Sequence, residues 1–187
     1  MYLVYCDCID STQLLAKRIC NKIKDSIAIV TADIQLNGLG RNSRIWQSSP
    51  GGLYFTSILK NIILPQPIPL LISLSVCSYI KKKFAIQCRV KWPNDIFYQD
   101  KKIGGILIDG KVSEDQKILF IGIGLNYSNE LADSDSDNDC YSPISLKKIT
   151  GTEIEFSNIS EASGITRSII EDSEYYKNCS EKIILCI

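Results

Sequence analysis

Between residues 86 and 125 the chain has room for little except sheet. Ile86 to Trp92, Ile96 to Tyr98, Ile103 to Asp109 and Lys117 to Gly124 all read as β-rich runs. Strands this close in sequence pair as hairpins. Pro93 keeps Trp92 out of the helical region and stiffens the first reversal, and Asp109-Gly110 starts the turn into the last run. The rest of the chain alternates. Residues 2–8 suggest a first strand, and Ser11 and Thr12 offer N-cap oxygens to a helix reaching about Lys24, with Leu15, Ile19 and Ile23 on one face. Ile27 to Ala32 and Gly52 to Leu59 read as strands, separated by a long polar loop over residues 35–50. Pro65, Pro67 and Pro69 break the chain before a helix from about Leu70 to Lys83. A short helix over Ser145 to Ile149 and a longer one from about Asn158 to Cys179 follow. The expected fold is a single α+β domain with a mixed, largely antiparallel sheet flanked by helices.

Composition narrows the chemistry. At 187 residues, 45% hydrophobic and 22% charged, this is ordinary globular material. The most apolar run, Ile68 to Ile80, contains Ser73, Ser75 and Ser78 and is shorter than the roughly 18–20 residues that cross a bilayer. The acidic start, MYLVYCDCID, is unlike a signal peptide, so a cytoplasmic protein without membrane contact is expected. The eight cysteines are scattered, and Cys20, Cys77, Cys88 and Cys186 sit among apolar neighbours as buried thiols would. Cys6 and Cys8 form half of a metal-site spacing with no second pair. The chain has no histidine to complete a set. That absence also removes Ser-His and Cys-His nucleophile pairs, leaving carboxylates, lysines, arginines, backbone dipoles or a bound metal. Asp133, Asp135 and Asp137 have calcium-loop spacing, but Asn138 and Ile144 stand where that loop needs Gly and Glu, so 129–143 reads as an acidic linker. Net charge is zero, yet residues 1–128 carry 16 basic and 9 acidic side chains and residues 129–187 carry 5 and 12. A basic N-terminal part suits an anionic ligand such as a nucleotide triphosphate, although solvated faces would give the same count.

Three segments carry the chemistry. In Gly38-Leu39-Gly40-Arg41-Asn42-Ser43-Arg44-Ile45-Trp46, two glycines let backbone approach a ligand, and two arginines supply charge for phosphate or carboxylate. Lys91-Trp92-Pro93-Asn94-Asp95 is a stiff turn in which Asp95 is a candidate Mg²⁺ ligand and Lys91 a phosphate neutraliser. Lys102 opens the next strand, and Gly104-Gly105 leaves room against its backbone. Gly122-Ile123-Gly124-Leu125-Asn126 ends a strand on a polar amide. Each alone is weak.

In this order and spacing, the three resemble the catalytic domain of biotin–protein ligases. That family shows a Gly-Arg-Gly-Arg-Arg-Gly loop with a following Trp, then Lys-Trp-Pro-Asn-Asp, a lysine seven residues beyond that Asp, a Gly-Ile-Leu strand, and Gly-Ile-Gly-Ile-Asn. The resemblance runs from about Tyr5 to Asn126. It implies the class II aminoacyl-tRNA synthetase-like, biotin–lipoate ligase fold, and an enzyme that forms biotinyl-5′-AMP from biotin and ATP with Mg²⁺. The biotin would then pass to a lysine of the biotin carboxyl carrier protein of acetyl-CoA or a related carboxylase. By the same resemblance, Ser11, Thr12 and Gln13 stand at the family's Ser-Thr-Asn and line the biotin head-group pocket. Gln35, Leu39, Gly40, Arg41, Lys102 and Gly105 also belong to the biotin site, with Lys102 and Arg41 holding both the biotin carboxylate and the α-phosphate. Arg41, Arg44, Trp46, Lys91, Asn94 and Asn126 fall on the nucleotide side, and Asp95 on the metal side or as a proton acceptor. Catalysis is expected to rest on Lys102, Arg41 and Asp95.

Two departures stand out. Leu39 replaces the loop's first arginine, and Asn42-Ser43 replaces Arg-Gly, where Ser43 gives up freedom for positive φ. A lipoate–protein ligase shares the fold, but its Arg-Arg-x-Ser-Gly-Gly-Gly loop is missing. A non-catalytic biotin- or carrier-binding module is the reading from another class. No DNA-binding helix-turn-helix and no C-terminal SH3-like domain are expected within residues 1–187, nor any nucleic-acid partner. A homodimer through an exposed sheet edge stays open.

Overall fold

The computed structural model describes residues 1–114, 116–131 and 141–184, with side chains to residue 177. The acidic run over 132–140 and Cys186 lie outside the described residues. Seven strands make one sheet in the order β1-β2-β3-β7-β6-β5-β4. They are β1 (Tyr2–Ile9), β2 (Ile27–Gln35), β3 (Leu53–Lys60), β4 (Arg89–Lys91), β5 (Asp95–Tyr98), β6 (Lys101–Val112) and β7 (Lys117–Leu125). β1 and β2 run parallel, joined across α1 (Thr12–Ile19). Every other pairing between these strands is antiparallel, so the sheet is mixed and largely antiparallel as expected.

The two faces are covered differently. On one lie α2 (Ile68–Phe84), α3 (Leu146–Thr150) and α4 (Asn158–Ile184), sealing a core that includes Ile29, Phe55, Ile72, Val76, Ile80, Ile121 and Ile165. Full burial of an Ile or Val side chain contributes about 1.5–3 kcal/mol, and α2 places Ile72, Val76 and Ile80, all 0% exposed, on one stripe. On the other face α1 alone packs down, through Ala16 with Cys20 and Ile23 of the following turn, onto Ala28, Val30, Ile58, Ile118 and Phe120. One eight-residue helix covers only part of a seven-stranded face.

Several boundaries differ from expectation for identifiable reasons. α1 stops at Ile19 and tightens into a 3-10 turn over Cys20–Lys22. Its Ser11 makes no side-chain cap bond. α2 begins at Ile68, because Pro69 sits in the first turn where its missing N–H is an orphan anyway. β4 is only Arg89–Lys91, since Ala85 at φ 57° ends α2 and Ile86 and Cys88 turn into the core instead of pairing along a strand. α4 runs on to Ile184. Asp109-Gly110 is not the hairpin turn. Gly110 pairs with Leu119 inside the β6–β7 ladder, and the reversal comes after Val112, where Ser113 N–H donates to Gln116 O at 2.9 Å. Among the described residues no helix is long and apolar enough to cross a membrane, and Cys20, Cys77 and Cys88 are buried free thiols.

Candidate active site

Successive residues on one face of β7 lay out the site. Phe120 packs under α1. A Cβ on Gly122 would lie 2.7 Å from Gln13 Oε1, and one on Gly124 would lie 2.5 Å from Trp46 Nε1. Cross-strand register extends this floor: Thr56 pairs with Gly122, which pairs with Leu107, and Gly124 pairs with Gly105, which pairs with Asp95. Gln13 and Trp46 thus lie against bare backbone, and a cavity of about 710 Å³ opens between the sheet, the first turn of α1 and the loop over residues 39–47. That is ample for a small organic ligand, whose sites span about 300–1,000 Å³.

Its inner end is polar and uncharged. Thr12 donates to Gln35 Oε1 from its N–H at 2.9 Å and its hydroxyl at 3.0 Å. Gln35 Nε2 donates to Ser48 Oγ at 2.9 Å, tying the strand end to the loop. Thr56 Oγ lies 3.0 Å from both Thr12 Oγ1 and Gln13 Oε1. Ser11 Oγ is buried with no hydrogen-bond partner among the described residues. A buried polar atom left unpaired costs about 1–3 kcal/mol, so a hydroxyl held that way on a cavity wall is ready for a ligand. The N-cap oxygens expected at Ser11 and Thr12 thus serve the cavity instead of the helix.

The mouth is charged. Among the described residues, Arg41, Arg44 and Lys102 stand on it against one carboxylate, Asp95, an excess that attracts an anion. Arg41 Nη1 donates to Asn94 Oδ1 at 2.8 Å, and Lys102 Nζ pairs with Asp95 Oδ1 at 2.8 Å. Two cations 61 positions apart in sequence therefore meet at neighbouring residues of one turn. Asn94 is fixed from behind by donating to Ile106 O at 2.8 Å. Between mouth and floor lies Trp46, with Lys102 Nζ 5.3 Å from its ring centroid and its indole N–H buried without a described partner. The loop closes on itself through Trp46 N–H to Gly38 O and Gly40 N–H to Arg44 O, each 2.8 Å. Its tip carries Asn42 at φ 55° and Ser43 at φ 59°, so the Arg-Gly departure does fall where positive φ is needed.

Ser11, Thr12, Gln13, Gln35, Leu39 and Gly40 all reach the cavity, as do Arg41, Arg44, Trp46, Asn94 and Asp95, and Lys102, Gly105 and Asn126. Lys91 does not. Its ammonium stands 3.1 Å from the Tyr141 ring centroid, and Tyr141, not Lys91, forms the wall. Thr56 and Tyr141 were missed. Thr56 is a polar residue inside a buried strand, but so is Ser57, which faces the other way to meet Thr166 Oγ1 at 2.7 Å. Only register tells them apart. Among the described residues no cluster of three metal-ligating side chains occurs. Asp95, the one carboxylate among the described residues of a cationic mouth, fits an ion that arrives with its own anionic ligands.

A neutral hydrogen-bonding recess opening onto a cationic mouth under a glycine-bearing loop defines a site that seats a small polar molecule against an anion. Residues 5–126 match the biotin/lipoate A/B protein ligase family, and the chain belongs to that family. It is 36% identical over 159 residues to the bifunctional ligase/repressor BirA of Bacillus spizizenii, covering 82% of this chain and 49% of that protein. The chain spans about half the length, or less, of the curated relatives it matches. The biotin protein ligase of Aquifex aeolicus in complex with biotin and ATP superposes with a TM-score of 0.75 at 28% identity, over 95% of this chain and 72% of that one. The Leishmania major biotin protein ligase in complex with biotinyl-5-AMP shares the fold at a TM-score of 0.76 and 23% identity, over 93% and 75%.

Proposed function

We propose that the chain is an ATP-dependent biotin–protein ligase. Biotin's carboxylate oxygen attacks the α-phosphorus of ATP and expels pyrophosphate. A carrier lysine then attacks the acyl carbon of biotinyl-5′-AMP and expels AMP. The observation that carries this reading is the convergence of Arg41 and Lys102 on the Asn94-Asp95 turn at the mouth of a recess lined by neutral hydrogen-bonding groups.

Two anions must be brought together, and water must be kept from the product. Ser11, Thr12, Gln13 and Gln35 receive the polar head group at the inner end, which leaves the acid chain pointing toward the mouth. Lys102 exchanges its Asp95 partner for the carboxylate and the α-phosphate oxygens, and Arg41 swings from Asn94 to the same phosphate. Arg44, Trp46 and Asn126 flank the nucleotide, and the loop over 37–46 closes above the adenylate. Lys91 acts from behind Tyr141 on the triphosphate's outer charge. Mg²⁺, held by Asp95 together with the phosphates, would supply further neutralisation of the triphosphate. Among the described residues Asp95 is the carboxylate on the wall, and when it holds no metal it takes the proton that the carrier's lysine must lose before it can attack. The acceptor is the biotin carboxyl carrier of acetyl-CoA carboxylase or a related enzyme, in the cytoplasm. A terminal strand of the sheet, β1 or β4, serves the carrier or a second copy.

Lys102→Ala tests the reading through biotin-dependent exchange of pyrophosphate into ATP. The Lys102–Asp95 pair is about one-quarter exposed, and such partly exposed pairs contribute only about 0–1 kcal/mol. The variant therefore stays folded by thermal melting while exchange falls by about 10²–10³-fold or more. Full activity in the variant, or exchange in the wild type driven by lipoate and not by biotin, overturns the assignment.

A further inference from the structure

We propose that Asp109, which lies outside the cavity, sets which end of the Gln13 amide faces the bound biotin head group. This rests on the biotin reading above and adds a positioning residue to it. Gln13 is 3% exposed and its side chain crosses from α1 to β7. Its Nε2 donates to Asp109 Oδ2 at 2.9 Å and to Phe120 O at 3.3 Å. Both of these partners only accept. An amide turned the other way would set its oxygen against a carboxylate and a carbonyl, so the nitrogen must point outward and Oε1 inward. Oε1 accordingly lies over Gly122, where an added Cβ would come within 2.7 Å of it. Thr56 is 3.0 Å from Oε1 and 3.0 Å from Thr12 Oγ1. A hydroxyl has one proton, so it cannot satisfy both, and Gln13 keeps acceptor capacity toward the recess.

The ureido ring of biotin carries two N–H donors beside one carbonyl. An inward-facing amide oxygen matches an N–H, and the unpartnered Ser11 hydroxyl is free to donate to the carbonyl. An inward-facing NH₂ would set donor against donor. Asp109 is itself held by Lys17 Nζ, 2.7 Å from the same Oδ2, and with Lys17, Gly110, Lys111 and Phe120 it lines a separate hollow of about 320 Å³. Burial alone would push its carboxyl upward, but the Gln13 amide and the Lys17 ammonium outweigh this and hold it below the ordinary range. It is therefore an acceptor throughout neutral pH. Because one oxygen serves both partners, the role requires an acceptor atom at that point and not a negative charge.

Two variants separate these possibilities. Asp109→Leu removes the acceptor and Asp109→Asn keeps one oxygen without the charge. Biotin affinity by calorimetry, KM for biotin, KM for ATP and kcat in the exchange assay, and the melting temperature are read for both. In Asp109→Leu the KM and Kd for biotin rise by about tenfold or more, while kcat and KM for ATP stay within about twofold. Asp109→Asn restores biotin binding to within about threefold of wild type. Equal losses in both variants would tie Asp109 to its charge pair with Lys17 and overturn the proposal. So would unchanged biotin binding in Asp109→Leu, or a fall in kcat and ATP affinity that tracks melting. A wild-type chain that binds no biotin overturns the ligase reading and this proposal with it, whereas biotin bound equally by all three proteins overturns the positioning role alone.

Discussion

Arg41 is exposed, and its described partner is the Asn94 side-chain oxygen at 2.8 Å. A guanidinium held this loosely can turn to a phosphate without breaking anything in the core. In the proposed reaction Arg41 shares the α-phosphate with Lys102, and its charge stays on the adenylate once formed, where it opposes escape of the product. Arg41→Gly should accordingly retain synthesis of biotinyl-5′-AMP and release it about tenfold or more faster, seen as free adenylate in a quenched reaction or as biotin on lysines of an added bystander protein. Retention equal to wild type would remove Arg41 from that role. At this scale the sequence was informative where a motif fixes both spacing and residue type: Arg41, Asn94, Asp95 and Lys102 come together as anticipated. It was uninformative where a side chain's direction depends on what packs beside it. Lys91 shares the Lys-Trp-Pro-Asn-Asp motif, yet its ammonium is drawn onto the Tyr141 ring 50 positions away, and no pattern within the motif encodes that stacking.

Elements explain why neighbouring glycines have different tasks. Gly104 and Gly105 are adjacent in β6, so they face opposite sides of the sheet. A Cβ on Gly104 would come within 2.3 Å of Leu125 Cδ2 and 2.8 Å of the Gly124 carbonyl, in the core. The nearest atoms to a Cβ on Gly124 would all belong to the Trp46 indole, the first two at 2.5 Å and 2.6 Å. Gly104→Ala must move backbone and should destabilise the protein by about 1–3 kcal/mol in urea unfolding. Gly124→Ala should displace Trp46 and cost less stability. In a Trp92→Phe background, tryptophan emission would then shift to the red and protease cleavage within residues 37–46 would speed up. An unshifted emission would mean that Trp46 is not seated on that glycine. The strands themselves were visible in their β-rich runs. The hairpin reversal was not, because Asp-Gly marks a turn only where its side chain is free to make one. Here Asp109 is engaged by Gln13 and Lys17, and the ladder continues past it to Val112.

Across the whole molecule, the sheet face under α1 carries the candidate site while the opposite face carries the larger core. The joint between them is Glu161 on α4, 3% exposed, which accepts from Tyr79 at 2.8 Å and Tyr127 at 2.6 Å and pairs with Lys83. It thereby ties α2, α4 and the segment after β7 together, one residue past the cavity-lining Asn126. Its partners lie 34 to 82 positions away, so local sequence could not reveal it. Burial pushes the Glu161 carboxyl up, but Lys83 and the two tyrosine hydroxyls more than offset this and leave it below its ordinary 4.5. A carboxylate whose pKa is depressed by folding contributes stability above its unfolded pKa and loses it as pH falls through the folded value. Glu161→Gln should therefore lower stability at pH 7 by about 1.5–3 kcal/mol, the range for hydrogen bonds to a charged group. Wild type and variant should then converge in urea melts taken stepwise below pH 4.5. A gap of constant size down to strongly acidic pH would mean that packing, and not the ionised carboxylate, holds the helical layer to the strand that ends at the site.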